Sequence, residues 1–107
     1  MRRGDVYWVR LDPTEGVEIR KTRPAIIVSN DRANRHLESV TVVPLTSSVR
    51  RVSPSQALVE IEGVPGKAMI DQIRSVAKQR IVGTRIGRLT PAAMAEVEMA
   101  MRTHLAL

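Results

Sequence analysis

The chain has no cysteine and no phenylalanine, only three lysines, and two aromatic residues, Tyr7 and Trp8. Without a thiol, disulfides, cysteine nucleophiles and cysteine-bound zinc are all excluded. With so few rings, a stacking platform of the kind seen on RNA-recognition sheets is not expected. Any bases bound here would meet arginine planes, backbone groups and small polar side chains instead. Long apolar runs are missing too. Nothing approaches the ~20 residues of a membrane-spanning helix, so no membrane partner is expected. Asp5 and Arg10 interrupt the segment behind Met1-Arg2-Arg3, which therefore does not read as a secretion signal, and a cytoplasmic setting is expected. There is no internal repeat, low-complexity tract or linker.

What the chain does have is arginine. The formal net charge is +6 and the isoelectric point is near 11.0, with Lys21, Lys67 and Lys78 the only other basic residues besides histidine. That balance favours a polyanionic partner, nucleic acid or an acidic protein; the plain alternative is a well-solvated basic surface. At 107 residues the chain forms one domain, 1–107, with a single core. A hydrophobic fraction of 43% is that of a folded protein rather than a disordered one.

Hydrophobic periodicity predicts a succession of short strands. Residues 5–11 alternate, with Tyr7, Val9 and Leu11 on the expected core face. A polar loop with Gly16 and Glu18 leads to a second strand, 24–29, apolar on both faces and so expected at the centre of its sheet. Residues 30–38 read as a loop with room for one helical turn. Further strands are expected over 40–45, 56–61, 67–76 (bent near Asp71-Gln72) and 82–86, with a turn over 62–66. Thr90 as N-cap and Pro91 at the first helical position open a helix of about 91–106. Its Met94, Val97, Met101 and Leu105 form a stripe read as core packing. The fold class is therefore mainly β with a C-terminal helix: a small, partly closed barrel or curled sheet capped by that helix.

One stretch invites a chemical reading. Pro24 biases Arg23 toward extended backbone, so a permanently charged five-donor fork projects from a stiff strand end. If the first three strands pair in chain order, Arg23 and the hydroxyls of Thr46, Ser47 and Ser48 share one sheet edge, under the loop carrying Glu18 and beside the basic loop of Arg50 and Arg51. Such a group suits a phosphodiester. Ordinary roles fit as well: Arg23 stapling the loop through Asp12 or Glu18, and Thr46-Ser47-Ser48 serving turn chemistry. His36 reads as a solvated loop residue and His104 as part of the helix end, where a cation is favoured.

Several short motifs occur in a telling order: Gly4-Asp5-Val6, Leu11-Asp12-Pro13, Gly16 with Glu18, Arg23-Pro24-Ala25, Val28-Ser29-Asn30, Pro44-Leu45-Thr46-Ser47 and Gln72-Ile73-Arg74. Together they resemble the MazF/PemK-like endoribonuclease toxins of bacterial type II toxin–antitoxin modules, over nearly the whole chain. The resemblance implies a small SH3-like, CcdB-like barrel that forms a homodimer and cleaves single-stranded RNA without a metal or other cofactor. It also implies a cognate antitoxin whose disordered tail occupies the RNA groove. By position, the family's catalytic arginine falls on Arg23 and its catalytic threonine on Thr46, while Glu18, Asn30, Ser47 and Gln72 fall where relatives meet RNA. Residues 19–22, Ile-Arg-Lys-Thr, depart from the glutamine and glycine common in relatives, which leaves the recognised RNA sequence open. Relatives with the same barrel poison DNA gyrase, and a non-catalytic RNA-binding barrel would share the same charge.

Overall fold

In a computed structural model, residues 1–11 and 22–107 are described. Among these residues, seven strands and two α-helices follow in the order β1 (Asp5–Arg10), β2 (Thr22–Ile27), α1 (Asp31–His36), β3 (Ser39–Thr46), β4 (Gln56–Ile61), β5 (Val64–Met69), β6 (Arg74–Ala77), β7 (Ile81–Arg88) and α2 (Pro91–Leu105). All registered pairs are antiparallel, in the order β4-β5-β3-β2-β1-β7, with β6 also paired to β3. The first three strands thus lie side by side in chain order, as expected. The edge of β3 is shared: β6 takes Ser39 to Val42 and β5 takes Leu45 and Thr46. That hand-over curls the sheet into a half-barrel.

The two faces carry two apolar clusters. One gathers Val6, Ile26, Val28, Val43, Leu45, Val59 and Ile70 with Val97 and Ala100 of α2; the other gathers Val9, Leu11, Ala25, Ile27, Val40, Val42 and Val76. Strand β2 is apolar on both sides because it feeds both clusters, which is what its sequence predicted. The expected Tyr7, Val9 and Leu11 face of β1 is packed, but Val6 on the opposite face is equally buried. In α2, Thr90 Oγ1 accepts from Ala93 N–H at 3.1 Å, and Met94 and Met101 pack on the core as read, whereas Leu105 is exposed.

Three expectations need correction. The strand read over 67–76 is two strands, because a 3-10 turn over Ile70–Gln72 interrupts it. The turn read over 62–66 is only two residues long: Glu62 and Gly63 both have positive φ (51° and 79°), the requirement of a tight type I′ hairpin, and Val64-Pro65-Gly66 already belong to β5. Residues 31–36 are a helix, α1, rather than a loop with one turn.

No ladder joins β4 to β7, yet the barrel's two ends touch. A Cβ on Gly87 would lie 2.8 Å from Ile61 Cγ2 and 3.1 Å from Glu62 Cγ. Glycine at this position lets the β4–β5 hairpin lean against β7. Beneath it, the nearly buried Asp5 accepts from Arg88 Nε at 2.7 Å and from Arg2 N–H at 2.9 Å, with Arg85 at 3.5 Å, fastening the start of β1 to the end of β7. Burial pushes the Asp5 carboxyl up, but the hydrogen bonds from Arg88 and Arg2 and the charges of Arg88 and Arg85 outweigh it and hold it below its ordinary value.

Candidate active site

Between the hairpin and the middle of the sheet lies a cleft of about 500 Å³. Arg23 and Pro24 line it from β2, Thr46 and Ser47 from the end of β3, and Gly66 from β5. Trp8, Glu62 and Ile86 add to its wall. The β2–β3 register (Ala25 with Pro44, Ile26 with Val43, Ile27 with Val42), continued by two residues, sets Arg23 opposite Thr46. Pro24 and Pro44 cannot donate to the ladder, and the registered pairing stops at Ala25 and Pro44. The chain therefore opens where the guanidinium and the hydroxyl stand.

Arg23 is half-buried, and its Nε is fully buried with no hydrogen-bond partner among the described residues. A buried donor of this kind is ordinarily satisfied, since leaving it unpaired costs about 1–3 kcal/mol. Arg23 as a residue also lines the open cleft, where a guanidinium fork suits the oxygens of an anionic ligand. Thr46 Oγ1 accepts from Ser48 N–H at a long 3.3 Å, a weak turn bond that leaves its own hydrogen available. On its other side Thr46 pairs with Lys67 of β5, whose Nζ donates to the Arg50 carbonyl at 2.8 Å.

The remaining residues predicted for the site are dispersed. Ser47 lines the cleft beside Thr46. Asn30 does not; it is the N-cap of α1, its Oδ1 accepting from Ala33 N–H at 2.8 Å, and it borders a separate groove with Arg32 and His36. Gln72 ends the 3-10 turn and is half-buried, away from the cleft wall. Glu18, Asp12 and the departure over 19–21 lie outside the described residues. His36 closes α1, exposed and away from the cleft, and His104 Nδ1 lies 3.0 Å from Ser55 Oγ.

The sequence reading missed Trp8 and Glu62. Trp8 is 44% exposed and lines the cleft, so one aromatic face is present where none was expected. Its signal was its place on the wetter side of the β1 alternation, where an indole is out of keeping with Arg10. Glu62 gave no local signal, because the fold-back of the hairpin brings it there.

Comparisons with known proteins agree with this architecture. A family model for PemK-like, MazF-like toxins of type II toxin–antitoxin systems matches residues 2–105. Endoribonuclease MazF9 of Mycobacterium tuberculosis (strain ATCC 25618 / H37Rv) is 41% identical over 116 aligned residues, covering 100% of this chain and 98% of that protein. Endoribonuclease MazF of Staphylococcus epidermidis is 32% identical, covering 100% of this chain and 92% of its own. Among solved structures, an endoribonuclease in complex with its cognate antitoxin from a mycobacterial species superposes with a TM-score of 0.83 at 31% identity, covering 100% of this chain and 96% of that one. MazF from Deinococcus radiodurans, at 22% identity and a TM-score of 0.87 over 100% of this chain and 97% of its own, shares the fold. Matched almost end to end by the family model and by relatives above 30% identity, the chain belongs to the PemK-like, MazF-like toxins of type II toxin–antitoxin systems.

Proposed function

We propose that this toxin is an endoribonuclease that cuts single-stranded RNA at a preferred sequence and so blocks translation, with Arg23 and Thr46 acting on the scissile phosphate. One observation carries the reading. A half-buried arginine, whose Nε has no acceptor among the described residues, lines the same cleft as a threonine hydroxyl, on adjoining strands. RNA brings its own nucleophile. The 2′-oxygen forms a bond to phosphorus as the bond to the 5′-oxygen breaks; the 2′-hydroxyl gives up its proton and the leaving oxygen gains one. The products are a 2′,3′-cyclic phosphate and a 5′-hydroxyl end. The protein must align those oxygens and stabilise the charge growing on the phosphoryl group. Arg23 supplies a charged fork for that purpose and Thr46 an O–H. Arginine stays protonated, so its role is electrostatic and not that of a general base.

Ser47 joins them at the cleft wall, while Glu18, Asn30 and Gln72 are carried as RNA contacts on the family resemblance. The partner is a cognate antitoxin, as in the mycobacterial complex, with a homodimer as the assembly and the cytoplasm as the setting. No helix of the described residues is long and apolar enough to cross a membrane.

The test incubates the purified protein with single-stranded RNA in EDTA and maps the ends produced. Cyclic-phosphate and 5′-hydroxyl ends are expected. RNA bound in a salt-sensitive way but left whole would identify an RNA-binding barrel instead. Whole, unbound RNA together with inhibited gyrase supercoiling would identify a topoisomerase-directed toxin.

A further inference from the structure

We infer that Lys67 is a positioning residue, which holds the basic loop after Thr46 so that Arg50 and Arg51 bind the RNA backbone beside the scissile phosphate. The inference rests on the RNA-cleaving reading above and adds to it where the rest of the strand runs.

Lys67 is only 9% exposed and has no carboxylate partner among the described residues. A lysine buried this far is nearly always paired with an acid, because desolvating an ammonium is costly. An apolar side chain would fill the same place in β5, between Thr46 of β3 and Leu58 of β4, at no such cost. What the ammonium adds is its hydrogen bond, 2.8 Å from Nζ to the carbonyl oxygen of Arg50. The bond is to backbone, so it fixes the loop without engaging the guanidinium. Both Arg50 and Arg51 are exposed, and neither has an acidic partner among the described residues.

A second observation points the same way. Arg51 has φ +55°, the left-handed conformation that L-residues other than asparagine and aspartate seldom adopt. Such a residue persists where its surroundings dictate it, and here the fixed neighbour is the carbonyl that Lys67 holds. The loop is also close to the cleft. Val49 borders a groove whose wall includes Pro65 and Gly66, and those two residues form the Arg23–Thr46 cleft on their other side. An RNA strand leaving the cleft across that ridge meets two guanidinium groups held in place.

The test uses the full chain and an RNA that the wild type cleaves, made as two oligonucleotides: one trimmed close to the mapped cut and one extended on both sides. On the extended RNA, Lys67→Met raises KM about tenfold, the worth of roughly one charge-assisted hydrogen bond, with kcat held within about twofold. On the trimmed RNA the two proteins agree. The salt slope of binding falls by about 0.7 for each phosphate no longer neutralised, a change that a general loss of stability would not produce. Arg50→Ala/Arg51→Ala gives the same KM and slope, and adding Lys67→Met to it changes neither. A fall in kcat alone, an unchanged slope, or additive losses would overturn the inference. Should Lys67→Met not fold, the exposed arginine pair decides, and wild-type KM and slope in that variant overturn it. Failure of the wild type to cut RNA refutes the proposed function, whereas a cutting wild type with indifferent variants refutes this inference alone.

Discussion

Arg23→Met separates the two roles open to this side chain. As a staple of its loop, Arg23 would contribute stability, and its removal would lower stability and activity together. The structure argues for the opposite sign. Arg23 Nε is buried and unpartnered among the described residues, so folding strips one charged N–H of water without a replacement from those residues. An unmet buried donor costs about 1–3 kcal/mol. Because the rest of the side chain is half-exposed, the lower end, about 1 kcal/mol, is the appropriate figure. Methionine keeps the stem's packing and removes that penalty. For a domain of this size the gain is worth about 4–8 °C in melting temperature at most. Cleavage moves the other way: loss of one preorganised donor to the phosphoryl oxygens removes about 2.7–4 kcal/mol, or 10²–10³ in kcat. Calorimetry and single-turnover cleavage of one labelled RNA measure both quantities on the same sample. A variant that melts earlier and loses activity in proportion would refute the argument and make Arg23 a structural staple.

Thr46→Val, which keeps the β-branched shape and removes the O–H, loses about 10²-fold in single-turnover rate with little change in melting temperature. The Asp5 carboxyl is held below its ordinary value in the folded protein, so the stability it contributes is present above the unfolded carboxylate range and fades as pH falls through the lowered value. Urea midpoints of the wild type therefore drop on the acid side, and Asp5→Asn lowers the neutral-pH stability, by about 2 kcal/mol because its arginine partners are half-exposed, and flattens that drop. Gly87→Ala places a methyl 2.8 Å from Ile61 Cγ2; a loss of about 1–3 kcal/mol is expected in urea unfolding, and an unchanged midpoint would show that the hairpin moves aside easily. Asn30→Ala costs about 1 kcal/mol through the lost cap of α1, and Asn30→Ser, which retains a capping oxygen, recovers most of it.

The sequence alone determined the run of β-branched strands, the double-sided apolar strand β2 and the Thr90-Pro91 helix start, because each follows from local periodicity and capping chemistry. It also picked out Arg23 and Thr46, since a chain-order pairing of three strands suffices to place them on one edge. Only the tertiary structure decided that Trp8 and Glu62 share their cleft and that Lys67 lies buried beside Thr46 with no acidic partner among the described residues. Those facts depend on β3 passing from β6 to β5 and on the 62–63 hairpin leaning against Gly87. Such meetings join residues far apart in the chain, and no local pattern of residue types encodes which distant surfaces will come together.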